Sequence, residues 1–377
     1  MQSIRTTGIF IFLIIGLVSL APQRAFAQGC LLTKNMAPGI GALTGPYLQK
    51  GEWQVSSGIT QFSTDQEYRG DTLRTDLAAT NTQVKEGGVT LDVQGAYAIT
   101  NQFNLTVDAP FVLQNYWSTP IAGTRYYQYS HGLADMVLGG RMWLFKCGIH
   151  TDQNISLGLG VRLPTGNSDY QVLYPNSLGQ NFANRAVFAA IQPGSGAWGI
   201  PLSVTAFKQF RYFTLFGSGL YLFSLRAQND TPSLGAAINP LGPNAAAAGT
   251  RYISTPDSYL FHAGLATPVP RLKGLSAFVS GKIAGVPVHN VFGSTIGFRQ
   301  PGYYVTVEPG LSFDTKLASY NISVPLRVYQ TTFANFLGSP ANADFARHML
   351  VVGVTFNPGG RKKEEADLGA AAPQTTK

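Results

Sequence analysis

Residues 155–162 run Ile-Ser-Leu-Gly-Leu-Gly-Val-Arg, so Ile155, Leu157, Leu159 and Val161 share one face and Ser156, Gly158, Gly160 and Arg162 the other. A period of two is the period of a β-strand. The alternation recurs along the chain in twelve segments: 52–62, 89–99, 103–115, 133–145, 154–165, 198–210, 213–225, 258–269, 275–288, 302–315, 319–330 and 346–356. Each apolar stripe is about ten residues tall, which crosses the hydrocarbon layer of a membrane when the strand is tilted.

The connections separate a membrane barrel from a soluble double sheet, which would alternate in the same way. After the even-numbered segments they are short: TNQ, KCGIHTDQ, RY, PRLKG and KLA. After the odd-numbered segments they are mostly long, at 63–88, 116–132, 166–197, 226–257, 289–301 and 331–345. Short turns on one side and long loops on the other are the pattern of outer-membrane barrels. A sandwich gives no reason for it, and it would carry more charge on its solvent face. Here 12% of residues are charged, about half the ordinary share, with 42 Gly and 17 Tyr. The expected fold class is all-β: an antiparallel up-and-down transmembrane β-barrel of about twelve strands, at residues 51–357, with both termini on the short-turn, periplasmic side. In that fold the Ile-Leu-Leu-Val stripe of 155–161 faces lipid. Strand-end aromatics such as Trp53, Tyr97, Trp117, Trp143, Trp198, Tyr212 and Phe356 are expected in interfacial girdles, although some are ordinary strand formers.

The N-terminus carries Arg5, an apolar run at 9–21 too short to span a bilayer as a helix, and Ala25-Phe26-Ala27, a small-x-small cleavage pattern. Residues 1–27 therefore form a cleaved signal peptide, 28–50 an N-terminal periplasmic segment, and the polar, Ala/Pro-rich 358–377 a disordered tail. The destination is the bacterial outer membrane. The partners expected there are outer-membrane lipid and lipopolysaccharide, a small-molecule solute, and the barrel-insertion machinery during assembly.

The two cysteines, Cys30 and Cys147, both fall at the periplasmic rim, where an oxidising compartment permits a disulfide or leaves two separate thiols. The faces opposite the apolar stripes collect Asp92, Asp108, Asp135, Arg141, Arg162, Lys282, Glu308, Asp314 and Arg327. Inside a barrel such charges either pair to fill and stiffen the lumen or form a ring that selects solutes. The five histidines are scattered without ligand spacing, so no metal site and no cofactor are expected, and no catalytic residue stands out. The net charge of +8 comes with no basic groove interleaved with aromatics, which argues against nucleic acid.

The stretches HGLADMVLGGRMWLF, ISLGLGVRLPTGNSD, AAIQPGSGAWGIPLSVTAFKQF and FRQPGYYVTVEPGLSF resemble the MetA-pathway phenol-degradation family of proteobacterial outer-membrane proteins. The resemblance runs from about residue 85 to 356. Its most specific parts are Leu163-Pro164-Thr165-Gly166 and Gln192-Pro193-Gly194-Ser195-Gly196. Gly132-Leu133-Ala134-Asp135 matches a Gly-Leu-Gly-Asp in that family, with Ala134 in place of a Gly. The resemblance implies an outer-membrane barrel linked to the uptake or breakdown of aromatic compounds, with no catalytic residues to carry over. Pro164 and Gly166 also have a purely structural reading, as the stop and the turn at a strand exit. Three functions stay open: passive passage of hydrophobic or aromatic solutes, general diffusion of polar solutes, and lipid modification by an enzyme with a Ser–His pair on its lipid face. Loops 166–197 and 226–257 are either capture loops or flexible caps.

Overall fold

The structure, a computed structural model, describes residues 47–242 and 249–357. The expected signal peptide, Cys30 and the expected C-terminal tail lie outside the described residues.

One antiparallel sheet of fourteen strand segments closes on itself. Two strands are each interrupted once, so the barrel has twelve: β1 (Trp53–Thr64), β2 (Lys85–Ala98), β3 (Phe103–Ile121), β4 (Thr124–Leu133 with Met136–Trp143), β5 (Gln153–Leu163), β6 (Gly199–Gln209), β7 (Thr214–Ser224), β8 (Ser258–Pro268), β9 (Leu275–Val286), β10 (Gly302–Asp314), β11 (Ala318–Ser323 with Leu326–Thr332) and β12 (Met349–Phe356). Each strand pairs with its sequence neighbours, and β1 pairs with β12 from Val55↔Phe356 to Phe62↔Met349, which closes the ring. Closure leaves no sheet edge inside a membrane, where an unpaired peptide group has no water to bond. All twelve expected strands are present.

The faces divide as the alternation requires. Leu157 and Leu159 are 51% and 60% exposed on the outer wall, whereas Ser156 and Arg162 are 1% and 4% exposed inside. Leu105, Leu138, Leu202, Leu215, Phe261, Val279 and Leu311 continue the outer apolar band. Trp53 and Phe356 pack at 5.7 Å on the periplasmic rim, with Tyr97, Phe210 and Tyr212 exposed at the same level. Tyr127 and Tyr129 stack on the outside of the opposite end. Trp117 and Trp143 depart from the girdle expectation. Both lie on inward faces and are buried.

One expected loop is a hairpin. β3 and β4 continue through 116–132 and turn at Ala122-Gly123, both at positive φ (48° and 82°). Two successive residues at positive φ make the tight turn that suits the twist of paired strands. A β-bulge near Leu113 lets this hairpin stand above the rest of the wall, since its upper register on β2 and on β4 shifts at that point.

Candidate functional site: the filled lumen

At the extracellular mouth three sequence motifs meet around one carboxylate. β4 breaks at Ala134-Asp135, and Asp135 turns inward. Its Oδ2 accepts from the Ser195 backbone N–H (2.9 Å) and from Ser195 Oγ (2.5 Å), while its Oδ1 accepts from Gly166 N (3.1 Å). Thr165 Oγ1 donates to Ala134 O and accepts from Met136 N, which splices the broken strand to the exit of β5. Gly166 and Gly194 cross so closely that a Cβ on Gly166 would lie 2.6 Å from Gly194 Cα. The Gly-Leu-Ala-Asp, Leu-Pro-Thr-Gly and Gln-Pro-Gly-Ser-Gly stretches therefore form one latch at the two ends of loop 164–198.

Between its ends that loop folds into the barrel. A short 3-10 turn, Ala189–Ile191, is buried, with Val187 and Ile191 at 0% exposure. Phe188 N donates to Gln128 Oε1 and Ser130 Oγ donates to Ile191 O, so the hairpin holds the loop from the wall side. Gln192 clamps it from within, accepting from Tyr170 N and donating to Val187 O. These bonds hold the buried 186–194 stretch of the loop against the hairpin. Trp117 stacks on Phe188 at 4.6 Å, and Phe188 meets Phe298 edge-on at 5.8 Å. Phe62, Tyr174, Tyr304, Phe345 and Met349 complete an apolar cluster under the loops.

The expected lumenal charges do not form one ring. Lys282 Nζ lies 3.3 Å from Glu308 Oε2, and Ser323 Oγ donates to Glu308 Oε1 at 2.6 Å. His262 Nε2 is 3.9 Å from the same Glu308 oxygen and shares a 2.7 Å hydrogen bond with Ser280 Oγ. Arg162 Nε lies 4.0 Å from Asp135, so this pair belongs to the latch. Arg327 sits over the Tyr68 ring and donates to the Tyr68 hydroxyl, Gln66 and the Phe345 carbonyl, which ties β11 to the extracellular loops. Asp314 accepts from Ser319 at the periplasmic end. Asp92 and Asp108 are diagonal neighbours across β2 and β3, because Asp92 pairs with Pro110 and Asp108 with Gln94. Arg141 stands opposite Asn104 and Gly158.

Several residues that organise the site were not singled out in the sequence. Asp257 is fully buried and accepts from Ser224 N, Tyr221 OH and Val291 N. Arg299 donates to Ser254 Oγ, Val288 O and Asn290 Oδ1, and burial lowers its pKa to about 10. Both sit in loops, where no periodicity marks an inward position. At the periplasmic mouth Tyr47, Trp143, Phe207 and Phe216 form a second apolar cluster, with the buried Cys147 beside it, unbridged among the described residues.

An apolar cluster lies at each end of the lumen, with buried polar and charged side chains between them and around the extracellular latch. A closed twelve-stranded antiparallel ring with a lipid-facing apolar band and periplasmic short turns is the architecture of an outer-membrane β-barrel. Among solved structures the chain is similar to the COG4313 outer membrane channel from Pseudomonas putida F1, with a TM-score of 0.55 and 14% identity over 86% of this chain and 100% of that one. The translocator domain of the autotransporter NalP from Neisseria meningitidis matches at a TM-score of 0.40 with 12% identity, over 82% of this chain and 89% of that one. The CymD monoaromatic hydrocarbon channel matches at 0.37 with 8% identity, over 88% and 92%. No family model and no curated protein sequence matches the chain.

Proposed function

We propose that this outer-membrane barrel gives passive passage to small hydrophobic or aromatic solutes, and that it belongs with the phenol-degradation family it resembles. The observation that carries the reading is the throat. Beneath the extracellular loops Trp117, Phe188, Phe298, Tyr174 and Ile191 form an apolar layer. Aromatic and apolar walls favour aromatic solutes through burial and ring–ring contact. Sugars and ions gain nothing there and lose hydration. A general diffusion porin needs a continuous aqueous bore, and the apolar clusters at the two ends of the lumen weigh against one. A lipid-modifying enzyme needs its Ser–His pair on the lipid face, whereas His262 and Ser280 pair inside the lumen.

In this reading the nine inward charges stiffen the lumen more than they select. Four of them, Asp135, Arg162, Lys282 and Glu308, lie in close cation–carboxylate pairs. A bridge between Cys30 and Cys147 would tie the N-terminal segment to the rim. The test is flux into proteoliposomes of the mature protein, comparing phenol or toluene with a pentose. Protein-dependent flux of the aromatic alone is expected. Protein-dependent pentose flux at the same rate would reinstate the porin.

A further inference from the structure

Tyr47 lies six residues before β1, and its ring reaches into the periplasmic mouth. It meets Trp143 edge-to-face at 5.1 Å and 79°, and Phe207 at 5.9 Å and 66°. Its hydroxyl donates to the His150 carbonyl (2.5 Å) and accepts from Asn154 Nδ2 (2.9 Å). Burial holds this phenol above its ordinary pKa, so it stays a donor at neutral pH.

The cage that receives the ring is built without it. Trp143 and Phe207 contact each other at 5.9 Å and 86°. Asn154 is 2% exposed and fixed by its own turn: Oδ1 accepts from Phe145 N (3.1 Å) and Ile155 N (2.8 Å), and Nδ2 donates to Phe145 O (2.9 Å). One amide hydrogen remains, and it points at the phenol oxygen. The chain behind Tyr47 is anchored at Gly51, whose N–H donates to Ala98 O, so the ring hangs on a short arm.

We propose that this cage is a binding site for a small phenolic solute at the periplasmic exit, and that Tyr47 is its built-in competitor. Two aromatic walls at right angles, one amide donor and one carbonyl acceptor define a phenol, and a free phenol makes every contact that the Tyr47 ring makes. A solute arriving through the lumen displaces the arm and leaves when the arm returns. The inference rests on the passage reading, from which it takes the solute class and the route.

The test uses the full mature protein carrying Tyr47→Ala, folded in lipid, with its heat-unfolding midpoint followed against phenol, benzene and cyclohexanol. Phenol should raise the midpoint of the variant well above its effect on the wild type. Benzene lacks the hydroxyl and cyclohexanol the ring, so each should do less. No phenol-specific rise, or an equal rise in both proteins, overturns the site. If Tyr47→Ala does not fold, Tyr47→Phe removes the ring's two hydrogen bonds, to Asn154 and His150, so the arm competes less well and the same comparison applies. Phenol flux in the same vesicles separates the two proposals. Binding without flux in either protein contradicts passage and leaves the site standing. Flux without binding to the variant contradicts the site alone.

Discussion

Ser195 donates both its backbone N–H and its hydroxyl to one oxygen of Asp135, sixty residues away in sequence, and so fastens the loop after β5 to the break in β4. Asp135→Ala would leave the Ser195 and Gly166 N–H groups without their acceptor. Each unsatisfied buried donor costs about 1–3 kcal/mol. The barrel should still fold, because the latch lies above the membrane band, but loop 164–198 should open. Limited proteolysis on intact cells should cut that loop in the variant and spare it in the wild type.

The Lys282–Glu308 pair makes a contrasting prediction about the wall. Lys282→Met strands a buried carboxylate, and breaking a buried pair in this way costs about 3–5 kcal/mol. Replacing both partners, as Lys282→Met with Glu308→Gln, removes the charge altogether and should recover most of that loss. Urea unfolding in lipid vesicles gives the three midpoints. A double variant as unstable as the single one would show that the pair does more than balance charge.

Asp344 places a carboxylate directly opposite Glu67 on the short strands of the extracellular face, and both are buried. Burial, with Glu86, Glu67 and Asp65 as like-charged neighbours, raises the Asp344 pKa well above the ordinary value. The folded protein therefore holds this proton at pH values where the unfolded chain has released it. Stability falls as pH rises from about 4 through the folded pKa. Asp344→Asn should be more stable than the wild type at pH 7 and equal to it near pH 4, measured as the heat-unfolding midpoint across that range.

Cys147 is buried beside the periplasmic cluster, and burial pushes its thiol up to about 11. At pH 8 roughly one such thiol in a thousand is ionised. Alkylation of the folded, reduced protein should be slow and should accelerate sharply on unfolding. Non-reducing peptide mapping of protein from the periplasmic face tests the bridge to Cys30 separately.

Much of this fold was legible in the chain because lipid and lumen impose opposite demands on alternate residues. Leu157 and Ser156 could not exchange places, so period alone located all twelve strands. The 116–132 hairpin was not legible. Its turn, Ala122-Gly123, lacks the usual Asn or Asp before Gly, and its outward tyrosines suit water and lipid alike. Parity singled out the nine charges, but their pairing was not legible, since Asp135 with Arg162 and Lys282 with Glu308 depend on register between strands. The role of Gln192, and of Tyr47 against Trp143, lay further from reach. Loop residues enter the lumen through tertiary contacts that no periodicity records.

Single-channel recording of the refolded mature protein in a planar bilayer tests the central claim most directly. With an apolar cluster at each end of the lumen, the barrel should insert and stay nearly silent, without steady ohmic steps in simple salt. Stable, porin-sized steps from the wild-type protein would show a continuous aqueous bore and contradict a passage built for apolar solutes.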